Sequence, residues 1–321
     1  MLTSPDPGLR TQDRLSPPFD LPSPVPPRYS LLAIDLDGTL LDKDGRVSAR
    51  NLQALLQARA AGITTVICTG RGLVESAHIM SAIDQRDPVV VAGGAIIADP
   101  LTRRTIHRFA INQALVARAV DRLLAHKHPA LVLKDPAEAG YDYLVVRGHE
   151  RLTLDPVTQW WFDKLQVRTR TVDHLGDDEH PEHTVRVGAC GLSDALARMK
   201  LDLAEACAGK ACVHHFPAVI GQEHAARIPR GQSLHILELF DIGATKWSAI
   251  SVIAKQMNID PARIAAIGDE INDESMIKGA GLGIAMANAV PTVRDAANRH
   301  TTSNNEDGVA HAIEHILSSN W

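Results

Sequence analysis

The sequence predicts an α/β protein: a doubly wound parallel sheet core, interrupted by a separate α+β unit. Two observations carry this. Near both ends of the chain, short continuously apolar runs alternate with helical periodicities, the pattern of parallel strands covered on both faces. Between about Ile96 and Pro229 that rhythm gives way to alternating segments suited to a half-exposed sheet.

Taken in order, residues 1–28 hold eight of the 18 prolines with few branched apolar side chains, so a mobile extension is expected there. The run from Tyr29 to Ile34 is the first strand. Ser48 then caps a helix carrying Leu52, Leu55 and Leu56 and closed by Gly62. Apolar runs from Ile63 to Cys68 and from Pro88 to Ala92 supply the next two strands. In the middle region, Thr105 to Ala110, Tyr141 to Arg147, His183 to Ala189 and Ala211 to Phe216 read as strands. Asn112 to His126 and Ser193 to Ala208 read as helices. Past about Leu234 the first rhythm returns: a helix from Thr245 to Met257, a strand from Arg263 to Ile267, a helix from Asn272, and an apolar run from Gly281 to Ala285. The expected division is therefore a core over 29–97 and 231–321, with an inserted unit over 98–230.

Composition narrows the function classes. Hydrophobic residues make up 45% and charged residues 22%, as in ordinary globular proteins. A net charge of -5, no long basic run and an aromatic share of 4% argue against nucleic acid as a partner. No stretch of about 18 apolar residues suggests a membrane span. Cys68, Cys190, Cys207 and Cys212 lack CxxC spacing, so reduced thiols in a cytoplasmic protein are expected. The nine histidines from His107 to His215 are mostly unpatterned, with no HxxxH and only His126 and His128 spaced as HxH, and are expected at the surface.

The chemistry gathers at strand ends, where doubly wound sheets place ligands. Asp35 and Asp37 end the first strand, two residues apart, and point to one side of the chain if strand geometry continues. Two close carboxylates repel unless a cation or a shared proton offsets them, and magnesium suits an all-oxygen site. Gly38 and Thr39 follow as a turn that can curl around a small ligand. Thr69 and Gly70 end the second strand and offer a hydroxyl and backbone N–H groups to a phosphate. Lys246 opens a helix with a mobile positive charge. The run Gly268-Asp269-Glu270-Ile271-Asn272-Asp273 adds two carboxylates, Asp269 and Asp273, four apart.

These residues resemble the four motifs of the haloacid dehalogenase (HAD) superfamily, and in detail its Cof-type hydrolases. The motifs are Asp35-Leu36-Asp37-Gly38-Thr39-Leu40-Leu41, Thr69-Gly70-Arg71, Lys246, and Gly268-Asp269 with Asn272-Asp273. Gly281 to Ala289 and Asn305 to Ala310 also match the Cof-type pattern. Asp35 and Thr69 stand 34 positions apart, whereas 177 separate Thr69 from Lys246, so the inserted unit takes the place of a C2 (type IIB) cap on a Rossmann-like core. Two positions depart from the pattern. Gly93-Gly94-Ala95 stands where Asn-Gly-Ala is common, and Thr245 precedes Lys246 where Ser is usual.

The resemblance implies a magnesium-dependent phosphatase for a small phosphorylated metabolite; the sequence leaves monomer and homodimer both open. It implies Asp35 as nucleophile and Asp37 as acid and base. Thr69, Lys246 and Asn272 would hold the phosphoryl oxygens, with Gly38, Thr39 and Gly70 lining the phosphate site and Arg71 either orienting substrate or standing in a structural ion pair. Magnesium would sit on Asp35, the backbone carbonyl of Asp37, Asp269 and, directly or through water, Asp273. A phosphomutase would use the same aspartates, and a non-catalytic binding module could keep the fold. Glu270 is expected in solvent, Met286 and Asn288 in packing and turn roles. Tyr141, Tyr143, Trp160 and Trp161 either line an entrance or pack the cap's own core.

Overall fold

A computed structural model of the protein describes residues 27–207, 209–218, 228 and 231–321. The expected mobile Pro-rich extension therefore lies, but for Pro27 and Arg28, outside the described residues.

Among the described residues fourteen strands form two sheets. They are β1 (Leu31–Asp35), β2 (Thr64–Cys68), β3 (Val89–Val91), β4 (Ile96–Ala98), β5 (Thr105–Arg108), β6 (Ala130–Lys134), β7 (Tyr143–Val146), β8 (Thr169–Val172), β9 (Thr184–Leu192), β10 (Ala211–Pro217), β11 (Leu234–Asp241), β12 (Ile264–Gly268), β13 (Leu282–Ala285) and β14 (Arg299–His300). The first sheet runs β14-β13-β12-β1-β2-β3-β4-β5, parallel from β14 to β3, with β4 and β5 added antiparallel. Every residue of β1 and β12 is buried, as continuously apolar strands flanked by helices on both faces must be. The chain leaves β1 toward β2 and returns later to β12 on its other side. The crevice at that switch point is where such sheets bind ligands.

The helices begin where the capping signals stand. Ser48 Oγ accepts the Asn51 N–H at 3.0 Å ahead of the helix Ala49–Ala60, and Thr245 Oγ1 accepts the Ser248 N–H at 3.0 Å ahead of Lys246–Gln256. Thr in place of Ser at 245 thus keeps the cap.

The second sheet runs β10-β11-β9-β6-β7-β8. One face packs on the helices Gln113–Ala125 and Ser193–Ala206 through Val132, Leu144, Val187 and Leu239. On the other face, Leu131, Leu133, Tyr143 and Phe240 join the hydrophobic core of the first sheet. The insertion is thus a cap whose sheet lies against the core.

Its limits differ from those read in the sequence. Thr105–Arg108, expected in the inserted unit, pairs with β4 and extends the first sheet. Leu234–Asp241, counted with the returning core, is the second strand of the cap sheet. Both errors have one cause: an alternating strand reads the same whichever sheet it joins, and only its partner assigns it.

Candidate active site

The site lies at the carboxyl ends of β1, β2 and β12. Asp35 is the last residue of β1, and the chain then turns tightly through Leu36–Leu40 with Gly38 at φ +79°. Strand geometry therefore stops at Asp35, and the two carboxylates diverge rather than share one direction. Asp35 faces Lys246 at 2.6 Å, while Asp37 is gripped by Arg71, Nε to Oδ2 at 2.8 Å and Nη2 to Oδ1 at 2.5 Å. The turn needs glycine on two counts. Its φ lies in the left-handed region, and a Cβ on Gly38 would stand 2.3 Å from Asp269 Oδ2.

Three carboxylates, Asp35, Asp269 and Asp273, offer oxygens within 4.8 Å of one another. Asp35 is 4% exposed and Asp273 fully buried. The Lys246 ammonium, itself fully buried, donates to Asp35 Oδ1 and to Asp273 Oδ1 at 2.5 Å. Asp273 Oδ2 accepts the N–H groups of Asp269 and Glu270 at 2.9 and 3.0 Å, so this carboxylate both fixes its loop and holds the lysine. Thr39 Oγ1 donates to Asp269 Oδ1 at 2.8 Å. Asn288 Nδ2 reaches the Gly38 carbonyl at 2.8 Å and Asp269 Oδ2 at 3.3 Å.

Charge and burial conflict here. Burial first, then the Asp273 charge, raises the Asp35 carboxyl well above the usual range, although Lys246 pulls it down. Burial and Asp273 push the Asp269 carboxyl up to about 7 against the Thr39 hydrogen bond. For Lys246, burial favours the neutral amine, but Asp273 and Asp35 outweigh it and keep the ammonium charged. Two buried acids and the half-buried Asp269 facing one cation leave surplus negative charge, and this all-oxygen set fits a divalent metal ion.

Beside the carboxylates, Thr69 is fully buried, and its Oγ1 accepts the Arg71 N–H at 3.1 Å. A Cβ on Gly70 would come 3.7 Å from Asn272 Nδ2, and Asn272 Oδ1 is buried with no partner among the described residues. An unsatisfied amide at this crevice is the kind of group a polar ligand completes. Gly93, at φ +70°, lies against the cap: a Cβ there would be 2.9 Å from Phe240 Cζ. The aromatic ring takes the space that an asparagine side chain would need.

The expected residues Asp35, Thr69, Lys246, Asp269 and Asp273 line this crevice. Asp37 is nearby, but its carboxylate is on Arg71. Arg71, expected either to orient substrate or to form a structural ion pair, pairs with Asp37, and the Thr39 hydroxyl donates to Asp269. Asn288, read as a turn residue, touches the carboxylate cluster. Tyr141 and Tyr143 part company: Tyr143 joins the core cluster, and Tyr141 the cap's own. Trp161 packs against the first cluster, and Trp160 lies under Lys164 Nζ at 4.6 Å. Met286 is buried, and the four cysteines are free thiols. His180 and His183 are not simply scattered, for they gather with Glu182 into a second group of potential ligands in the cap. Their H-x-E-H spacing was legible but matched neither spacing sought.

A profile of the haloacid dehalogenase-like hydrolases matches residues 32–313. The chain belongs to this family. Phosphatase YwpJ of Bacillus subtilis is 30% identical to this HAD hydrolase over 302 residues, covering 89% of this chain and 99% of the relative. The 5-amino-6-(5-phospho-D-ribitylamino)uracil phosphatase YwtE of the same organism is 29% identical over 303 residues, with 90% and 99% covered. The crystal structure of a haloacid dehalogenase-like hydrolase from Bacteroides thetaiotaomicron superposes with a TM-score of 0.71 at 25% identity, covering 90% of this chain and 99% of that one. This HAD hydrolase is a phosphoric monoester hydrolase of the Cof-type, subclass IIB group. Among the described residues no helix is long and apolar enough to cross a membrane.

Proposed function

We propose that this hydrolase is a magnesium-dependent phosphatase that transfers the phosphoryl group of a small phosphorylated metabolite to Asp35 and then hydrolyses the aspartyl phosphate. The observation that carries this reading is the pairing of buried Asp35 with Lys246 at 2.6 Å inside the Asp35, Asp269 and Asp273 cluster.

In the first half-reaction an Asp35 carboxylate oxygen attacks phosphorus, and the bond to the leaving oxygen breaks. Asp37 gives a proton to that oxygen; the resulting carboxylate then takes a proton from water as the water attacks the aspartyl phosphate. Inorganic phosphate leaves, and Asp35 and Asp37 return to their starting states. Lys246, Thr69 and Asn272 hold the phosphoryl oxygens in line, with Gly70 allowing close backbone approach. Asp35, the Asp37 carbonyl, Asp269 and Asp273, the last directly or through water, would hold Mg2+. When bound, the ion supplies charge neutralisation between nucleophile and phosphate.

The substrate class is a phosphomonoester of metabolite size, in keeping with the phosphorylated ribitylaminouracil in the name of one relative. A panel of phosphorylated metabolites, scored by kcat/KM with Mg2+ and with chelator, tests the reading. Phosphate release is expected only with the metal. Folded Asp35→Ala protein that retains metal-dependent release would overturn the scheme.

A further inference from the structure

Four polar side chains outside the proposed reaction set are buried where the cap sheet meets the core. Arg186 on β9 donates through Nη1 to the Gly70 carbonyl at 2.8 Å and through Nη2 to the Tyr143 hydroxyl at 2.5 Å. Nη1 also lies 2.6 Å from Glu238 Oε1. The Tyr143 hydroxyl donates to Glu75 Oε1 at 3.1 Å, and Glu75 Oε2 accepts the Gly72 N–H at 2.7 Å. Exposure is 5% for Arg186, 6% for Glu238, 2% for Tyr143 and 1% for Glu75. Charges buried this deeply persist only while every partner is in place. The array is therefore complete only with the cap docked.

What the array holds is the segment Gly70-Arg71-Gly72. The core fixes Arg71 itself, whose N–H meets Thr69 Oγ1 at 3.1 Å and whose carbonyl accepts the Ala92 N–H at 2.8 Å. The Gly70 carbonyl lies in the same peptide plane as that Arg71 N–H and is held from the cap, by Arg186, so core and cap each fix one edge of the plane. Turning that one peptide plane changes the backbone angles on either side of it, and so the direction in which Arg71 leaves the chain. Arg71 in turn fixes both oxygens of Asp37.

We propose that Arg186 is a positioning residue that couples docking of the cap to the placement of Asp37, acting through the Gly70 carbonyl and the Arg71 guanidinium. Tyr143 and Glu75 lock Arg186 in the orientation that reaches Gly70. The inference rests on the reading of Asp37 as the proton donor, and it predicts an effect that depends on the leaving group. An alkoxide needs a proton as it departs, whereas p-nitrophenolate departs without one.

The test compares ribose 5-phosphate with p-nitrophenyl phosphate as substrates of the whole chain, in wild type, Tyr143→Phe, Glu238→Gln and the Arg186→Met/Glu238→Gln double variant. The double variant removes the buried ion pair together, so neither partner is left as an unpaired charge, and Tyr143→Phe deletes a single hydroxyl. For the double variant, kcat with ribose 5-phosphate should fall at least about tenfold beyond Glu238→Gln alone, and with p-nitrophenyl phosphate less than about threefold. Tyr143→Phe should show the same asymmetry to a smaller degree. Equal losses on both substrates, or a rise in KM alone, would show a structural interface and overturn the proposal. A wild type that hydrolyses neither ester fails the phosphatase reading itself, and the coupling with it.

Discussion

Lys246 Nζ lies 2.6 Å from Asp35 Oδ1 and 2.5 Å from Asp273 Oδ1, joining three loops that meet only when β1 and β12 pair. Removing the lysine leaves two buried carboxylates without their cation. Lys246→Met is expected to lower unfolding free energy by about 3–5 kcal/mol in metal-free buffer, measured by urea titration, and to abolish phosphate release. Asp35→Asn should do the reverse for stability. It removes the cost of burying a carboxylate and then its repulsion with Asp273, which together raise the Asp35 carboxyl, so the metal-free variant should melt no lower than wild type while turnover falls by roughly 10^4-fold or more.

Gly38 offers a separate handle on the carboxylate cluster. A methyl group there would collide with Asp269 Oδ2 at 2.3 Å in a backbone region that L-residues rarely enter. Gly38→Ala should weaken Mg2+ binding about 10–100-fold by displacing Asp269, read by isothermal titration calorimetry. Undiminished affinity would show that Asp269 does not hold the ion.

Where the cap meets the Gly93 turn, an asparagine at position 93 could adopt the φ of +70°, but its Cβ would press on Phe240 at 2.9 Å from Cζ. Gly93→Asn alone should lower stability by about 1–3 kcal/mol through overpacking. Adding Phe240→Ala should recover part of that loss, and a double-mutant cycle in urea measures the coupling.

The Glu238 carboxyl gives the expected pH dependence. Burial, helped by Glu75 and opposed by Arg186, raises it from its ordinary value of 4.5 to about 7 in the folded chain. Between those values the folded state binds more protons than the unfolded one, so stability falls as pH rises through that window. The whole penalty is present above about 7 and absent below about 4.5. Measured against Glu238→Gln, wild type should lose up to about 1.4 kcal/mol per pH unit from pH 5 to pH 7. The loss of the Arg186 partner in the variant adds an offset that does not vary with pH, so the slope is the observable. A slope of zero would mean that Glu238 is ionised throughout.

Much of the site was legible because each motif is local. A strand end, a turn glycine and a cap residue announce themselves within a few positions, as Asp35-Leu36-Asp37-Gly38 and Thr245-Lys246 do. The charges at the cap interface left a fainter trace. Arg186 stands between Val185 and Val187, and Glu238 lies within the apolar run Leu234 to Phe240, each a charge where a strand should be buried. Such a residue must find a partner, but its identity depends on sheet register: Glu238 pairs with Gly188 across β11 and β9, and Leu133 faces Arg186 across β6 and β9. Asn288 was misread because a turn and a reach toward Asp269 have the same local spacing.

The sequence by itself determined the α/β class, the family, the five polar groups that line the crevice and the approximate place of the insertion, since all of these are written in local periodicity and in motif order. Only the tertiary structure decided that Asp35 and Asp37 part at the Gly38 turn, one toward Lys246 and the other toward Arg71. It also decided that Thr105–Arg108 belongs to the core sheet and Leu234–Asp241 to the cap. The physical reason is common to these outcomes: a buried charge and a strand edge are each completed by a partner distant in sequence, and chain proximity carries no record of which partner that is.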